Sequence, residues 1–195
     1  MQKRILGKDF EVSAIGLGCM GFTHAYGEPS DEKEAVKAIR QSIDFGYTFF
    51  DTAECYIGTR KDGSTAYNEE LIGNALKDCR HHVQIATKFG VHHSPDGMLV
   101  TDSRPETIRK SIEGSLERLQ TDYIDLYYQH RIDPNVPIEE VARVMKELMQ
   151  EGKILHWGIS EADEDSIRRA HAVCSLTCVQ NRYSMMAGMK AYFLF

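Results

Sequence analysis

No apolar run in the chain approaches the roughly 18 residues a transmembrane helix requires, and the charged opening MQKRILGKDFE lacks the form of a signal peptide. No basic block stands out either. Lys and Arg number 23 against 29 Asp and Glu, for a formal net charge of -6, which argues against nucleic acid as a main partner. Prolines are only five in 195 residues and no low-complexity linker appears, so one domain over 1–195 is expected, long enough for a well-buried core. The cysteines (Cys19, Cys55, Cys79, Cys174, Cys178) are odd in number and scattered. That excludes a disulfide scaffold and leads us to expect a reducing, cytoplasmic setting. Metal is not expected: His81–His82 and His92–His93 are bare pairs, and Cys174–Cys178 has no matching second pair for a four-ligand zinc site.

What the chain does have is alternation. Apolar runs of strand type lie at 14–20, 47–53, 83–89, 123–130, 154–160 and 176–183. Amphipathic segments separate them. Ser30 is placed to cap a helix with Val36, Ile39 and Ile43 on one face, ending at Gly46. Residues 67–78 turn Leu71, Ile72, Ala75 and Leu76 inward. Pro105 opens a third helix burying Ile108, Ile112, Leu116 and Leu119, and Pro137 a fourth over 138–151 that stops at Gly152. A fifth, about 163–173, carries acids early and arginines late, as the helix dipole favours.

Strict alternation means parallel strands joined by crossover helices, either in a (β/α) barrel or in an open doubly wound sheet. Ahead of the first unit, RILG and FEV flank a turn at Gly7–Lys8–Asp9, a hairpin suited to plugging one barrel end. The stretch GLGCMG (16–21) matches the dinucleotide fingerprint, but that motif should open a helix directly. Here FTHAYGEPS intervenes, so a Gly-rich strand end is the better reading.

In a barrel the C-terminal strand ends gather on one face. Read in order, they present Asp51 and Tyr56, then Lys88, then His130, followed by Ser160 and by Gln180 with Asn181. An acid, a phenol, an amine and an imidazole on successive strand ends suit proton delivery to a carbonyl oxygen. Lys88 is expected to lower the pKa of Tyr56, Asp51 to hold the lysine charged, and His130 to orient the carbonyl. Taken singly, each has a bland alternative: a loop cap, a solvated lysine, a packing aromatic. Their conjunction favours catalysis.

The motifs GLGCMGF, FDTAECY, NEELIGNAL, IATKFG, DYIDLYYQHR, WGIS and VQNRYS together resemble the aldo-keto reductase family over nearly 1–185. The resemblance implies a (β/α) barrel of TIM type, here about six units after an N-terminal hairpin. It also implies NADPH bound across the strand ends and hydride transfer to an aldehyde or ketone. The family's tetrad falls on Asp51, Tyr56, Lys88 and His130. Its cofactor contacts fall on Gly21, Phe22, Asp51, Ser160 and Gln180, with Glu161 in place of the asparagine that usually follows the serine. Phe22, Tyr26, Tyr56, Phe89 and His130 are expected to line an aromatic substrate pocket. The family's seventh and eighth units, which hold the pyrophosphate and 2′-phosphate, have no counterpart here, and the apolar tail AGMKAYFLF (187–195) departs from the family pattern. A truncated or frameshifted product is therefore expected. The alternatives are a catalytically impaired fragment, a nucleotide-sensing interaction protein, or a short form completed by self-association through its open sheet edges.

Overall fold

The computed structural model of the protein describes residues 1–94 and 96–186. The tail 187–195, the subject of the frameshift expectation, lies outside them. The described chain opens with β1 (Lys3–Leu6) and β2 (Phe10–Ser13), an antiparallel hairpin. It continues through β3 (Leu17–Gly18), α1 (Glu32–Asp44), β4 (Phe49–Asp51), a hairpin of β5 (Ile57–Thr59) and β6 (Thr65–Tyr67), and α2 (Asn68–Leu76). Next come β7 (Gln84–Phe89), a hairpin of β8 (Val91–His93) and β9 (Leu99–Thr101), α3 (Pro105–Leu119) and β10 (Ile124–Gln129). Last are α4 (Ile138–Gln150), β11 (Ile154–Ser160), α5 (Glu164–Val173) and β12 (Cys178–Gln180).

Six strands form one sheet in the order β3-β4-β7-β10-β11-β12, each paired in parallel with its neighbours. Each new strand adds beside the one before it. A doubly wound sheet would reverse direction at a switch point, and this one does not. The incomplete barrel is the architecture that forms. Its helix-facing side carries the main core, with Phe50, Ile85, Tyr127, Trp157 and Ile159 buried against Ile39, Ile72, Ile112, Met145 and Ile167 of the five helices. The opposite side is plugged at one end by the β1–β2 hairpin. Phe10 and Val12 pack there on Ala86, Leu126 and Tyr128.

Two helix boundaries show local chemistry at work. The carboxylate of Asp31, not the hydroxyl of Ser30, caps α1, accepting from the Lys33 and Glu34 amides at 3.0 and 3.1 Å. Because the helix starts at Glu32, only residue 31 reaches both orphan donors. The Ser30 amide instead donates to the Phe22 carbonyl at 2.8 Å and closes the loop after β3. That loop runs from Gly18 to α1 through a single 3-10 turn, Met20–Phe22, so GLGCMG does not open a helix.

The α2–α3 contact leaves no room for a side chain at Gly73. A Cβ there would lie 2.7 Å from the Arg118 carbonyl oxygen and 2.8 Å from the Leu119 backbone, atoms that cannot swing aside. Overpacking of this kind outweighs the roughly 1 kcal/mol that alanine gains over glycine in a helix. Gly73→Ala is expected to lose about 1–2 kcal/mol net, read as a lower urea midpoint at unchanged slope.

Candidate active site

Side chains alternate across a strand, so Asp51, Lys88, Tyr128 and Ser160 share the inner side of the sheet with Phe49, Ala86 and Leu126. At the C-terminal end of β7, Lys88 is only 1% exposed. Its ammonium donates to Asp51 Oδ1 at 2.5 Å and to the Thr52 carbonyl at 2.7 Å, and lies 3.4 Å from the Tyr56 hydroxyl. Three donors thus meet three oxygens. Burial alone would lower the lysine pKa, but the attraction of Asp51 and Tyr56 reverses this, leaving it above its ordinary value and the lysine charged. The second oxygen of Asp51 accepts from Gln180 Nε2 at 2.9 Å, which ties the last strand of the sheet to the second.

Tyr56 departs from expectation. Burial of the phenol outweighs the nearby ammonium, so its pKa lies above the ordinary tyrosine value instead of below it. The phenol therefore keeps its proton at neutral pH. Its ring stands edge-on to that of His130, centroids 5.7 Å apart, and is stacked by His24 at 5.9 Å.

His130 is buried, and its pKa is pushed down to about 3, first by burial and then by the positive fields of Lys88 and Arg131. The imidazole is neutral. Between the ordinary value of 6.5 and about 3, the unfolded chain binds more protons here than the folded one. The stability from neutral His130 is thus complete above 6.5 and is lost as pH falls toward the folded value. Urea midpoints are expected to fall on acidification through that window, and to fall less steeply in His130→Gln.

The remaining sequence candidates divide. Ser160 is buried at the end of β11, and its hydroxyl accepts from Arg131 Nη1 at 3.1 Å. Gln180 lies beside it in register on β12. Glu161 adopts a left-handed φ of 54°, and its carboxylate accepts from the Arg182 amide. Gly21 and Phe22 lie in the turn after β3, with Phe22 half-buried against the main core. One member of the expected aromatic pocket is corrected, and a second stands at the surface. Phe89, next to Lys88 on the same strand, must face the other way; it is fully buried on the helix side, 4.9 Å from the Tyr127 ring. Tyr26 is 79% exposed and stands over Gly21 at the surface.

Beside Tyr56, a cavity of about 600 Å³ is lined by His24, Glu54, Cys55, Val91, His92 and His93 among others. Burial raises the pKa of Glu54, whose carboxylate accepts from the Gly90 amide at 2.9 Å. Residues 14–192 of the chain match the aldo/keto reductase family. The chain belongs to that family.

A curated relative, "Probable aldo-keto reductase 1" of Glycine max, is 46% identical over 177 residues, covering 90% of this chain and 49% of the relative. The chain thus spans about half the length of that relative. Among solved structures, an aldo-keto reductase of Bacillus halodurans in its holo form superposes with a TM-score of 0.79 at 33% identity, covering 94% of this chain and 58% of the other. A glycerol dehydrogenase of Gluconobacter oxydans gives 0.76 at 32% identity, covering 92% and 54%.

Three residues of this aldo-keto reductase site were not singled out from sequence. Asn68, the first residue of α2, is buried and accepts from the Thr52 hydroxyl at 2.6 Å. Its amide nitrogen donates to the Cys19 carbonyl at 2.9 Å and the Thr23 hydroxyl at 2.7 Å. Thr23 in turn donates to the Tyr56 carbonyl at 3.2 Å. The loops after β3 and β4 are thereby locked together under Tyr56. His24 and Cys55 are the other two. The one signal available was position, and only for two of them: Cys55 lies within FDTAECY and His24 in the loop before α1.

Proposed function

We propose that this chain carries the carbonyl-reducing centre of an NADPH-dependent aldo-keto reductase, with Tyr56 as proton donor. The observation that carries the reading is the buried Lys88 ammonium, shared between the Asp51 carboxylate and the Tyr56 hydroxyl. NADPH, when bound, supplies the hydride. Tyr56 gives its proton to the carbonyl oxygen of a small aldehyde or ketone, forming the alcohol O–H bond as its own breaks. Lys88 then stabilises the phenolate left behind, and Asp51 keeps the ammonium in place. Neutral His130 donates a hydrogen bond to the same oxygen without competing for the proton.

The residues present fit a nicotinamide carboxamide. Gln180 donates its Nε2 to Asp51, leaving Oε1 as an acceptor, and the Ser160 hydroxyl has its proton to give. An acceptor and a donor side by side on adjacent strands complement the two ends of a primary amide. Gly21, Phe22, Asp51 and Glu161 complete the group we assign to the cofactor. The Bacillus halodurans relative solved in holo form and the Gluconobacter oxydans glycerol dehydrogenase agree with a redox role. Five free cysteines support a reducing, cytoplasmic setting.

A second reading is favoured by β3 and β12, the outer strands of the sheet, each with one edge unpaired among the described residues. Two chains would then cover each other's edges, and light scattering would read a dimer rather than a monomer. The primary reading is tested by titration. NADPH is expected to quench intrinsic fluorescence saturably and at lower concentration than NADH, whereas no quenching by either would sink it.

A further inference from the structure

Cys55 contributes nothing to the proton chemistry described above, yet its sulfur lies 3.5 Å from Nδ1 of His130 in a buried contact. Cys55 is 8% exposed and His130 is 9% exposed, so no bulk water competes for that nitrogen. We propose that Cys55 is a positioning residue whose thiol donates to His130 Nδ1 and thereby fixes the imidazole as the tautomer that carries its proton on Nε2. This rests on the reading of His130 as the hydrogen-bond donor to the substrate carbonyl.

The argument is one of inventory. A neutral imidazole holds a single N–H, and its other nitrogen can only accept. A thiol offers one weak donor, while its sulfur is a weak acceptor. Of the two ways to join them, S–H to nitrogen sets a weak donor against a good acceptor. N–H to sulfur would consume the ring's only donor on a poor acceptor. The second arrangement would also leave Nε2 as a bare lone pair, facing a carbonyl oxygen that can only accept. The first aims an N–H at that oxygen.

The protonation states agree with the geometry. Burial pushes the Cys55 thiol up to about 12, so it retains the proton it donates. The positive fields of Lys88 and Arg131 add to burial in keeping the imidazole singly protonated. The peptide groups fix the pair from both sides. The His130 amide donates to the Phe89 carbonyl at 3.0 Å, its carbonyl accepts from Arg131 at 2.6 Å, and the Cys55 carbonyl accepts from the Ile57 amide at 2.9 Å. Ring and thiol are thus held by three different strand ends.

The test is histidine-selective ¹⁵N NMR of the full chain at neutral pH, with His130 assigned by its loss in His130→Gln. The wild type is expected to show a pyridine-type Nδ1 and a pyrrole-type Nε2. Cys55→Val, which keeps an apolar residue of similar volume and removes the donor, is expected to bring both nitrogens toward exchange-averaged values. Cys55→Ser, which restores a donor, is expected to bring the wild-type pattern back. Aldehyde turnover should follow, with kcat about fivefold lower in Cys55→Val and KM little changed, the size of one net hydrogen bond. A pyrrole-type Nδ1 in the wild type, or a Cys55→Val spectrum identical to it, overturns the proposal. Absence of turnover in every variant would count against the reductase reading and leave the spectrum to decide the role of Cys55 by itself.

Discussion

Tyr56→Phe is expected to leave the protein folded and to reduce NADPH-dependent aldehyde reduction by about 10²–10⁴-fold, the usual worth of a positioned general acid. The substitution is narrow. Among the described residues the hydroxyl it removes makes one long contact, 3.4 Å to Lys88, while the ring that remains still lies between His24 and His130. The urea midpoint should therefore move little, and the NADPH titration should be nearly unchanged. The loss should appear in kcat with KM preserved, because the proton is needed in the transition state and not for binding. A Phe variant that keeps turnover within about tenfold of wild type would assign the proton to another group.

Lys88→Met is expected to damage both activity and stability. The Asp51 side chain, 17% exposed, would lose its ammonium partner and keep the Gln180 amide. Breaking one side of a buried ion pair typically costs about 3–5 kcal/mol, because the surviving charge stays buried. Turnover would fall as well: without the ammonium, the phenolate formed at Tyr56 has no cation beside it, and the phenol becomes a still weaker acid. The two effects separate in the double variant Asp51→Leu with Lys88→Met. Replacing both partners by apolar groups removes the uncompensated charge, so most of the stability should return while turnover stays lost. A double variant that regained activity would contradict the role given to Lys88.

Much of this was legible in the chain. Alternation of apolar runs with capped amphipathic segments gave six parallel strands, and placing side chains at strand ends put Asp51, Lys88 and His130 on one face. Where reading failed, the reason is physical. Phe89 was expected in the pocket beside Lys88, although neighbours on a strand point to opposite sides. The hairpins β5–β6 and β8–β9 went unseen because their strands are three residues long and largely exposed; Asp62–Gly63 and Asp96–Gly97 were the turn signals available. The sign of the Tyr56 shift depends on a balance between burial and charge that sequence does not contain. The Gln180–Asp51 bond joins residues 129 apart, and only the curl of the sheet brings them together. Asn68 is similar: its three partners come from segments on either side of α1, which no local pattern links.

The central claim is that this constellation reduces carbonyls with NADPH. The most direct measurement follows NADPH absorbance and alcohol product together when the purified chain meets a reactive aldehyde. The account predicts NADPH consumption matched mole for mole by alcohol, lost in Tyr56→Phe. Saturable NADPH binding with no alcohol formed, or equal consumption by wild type and Tyr56→Phe, would contradict it.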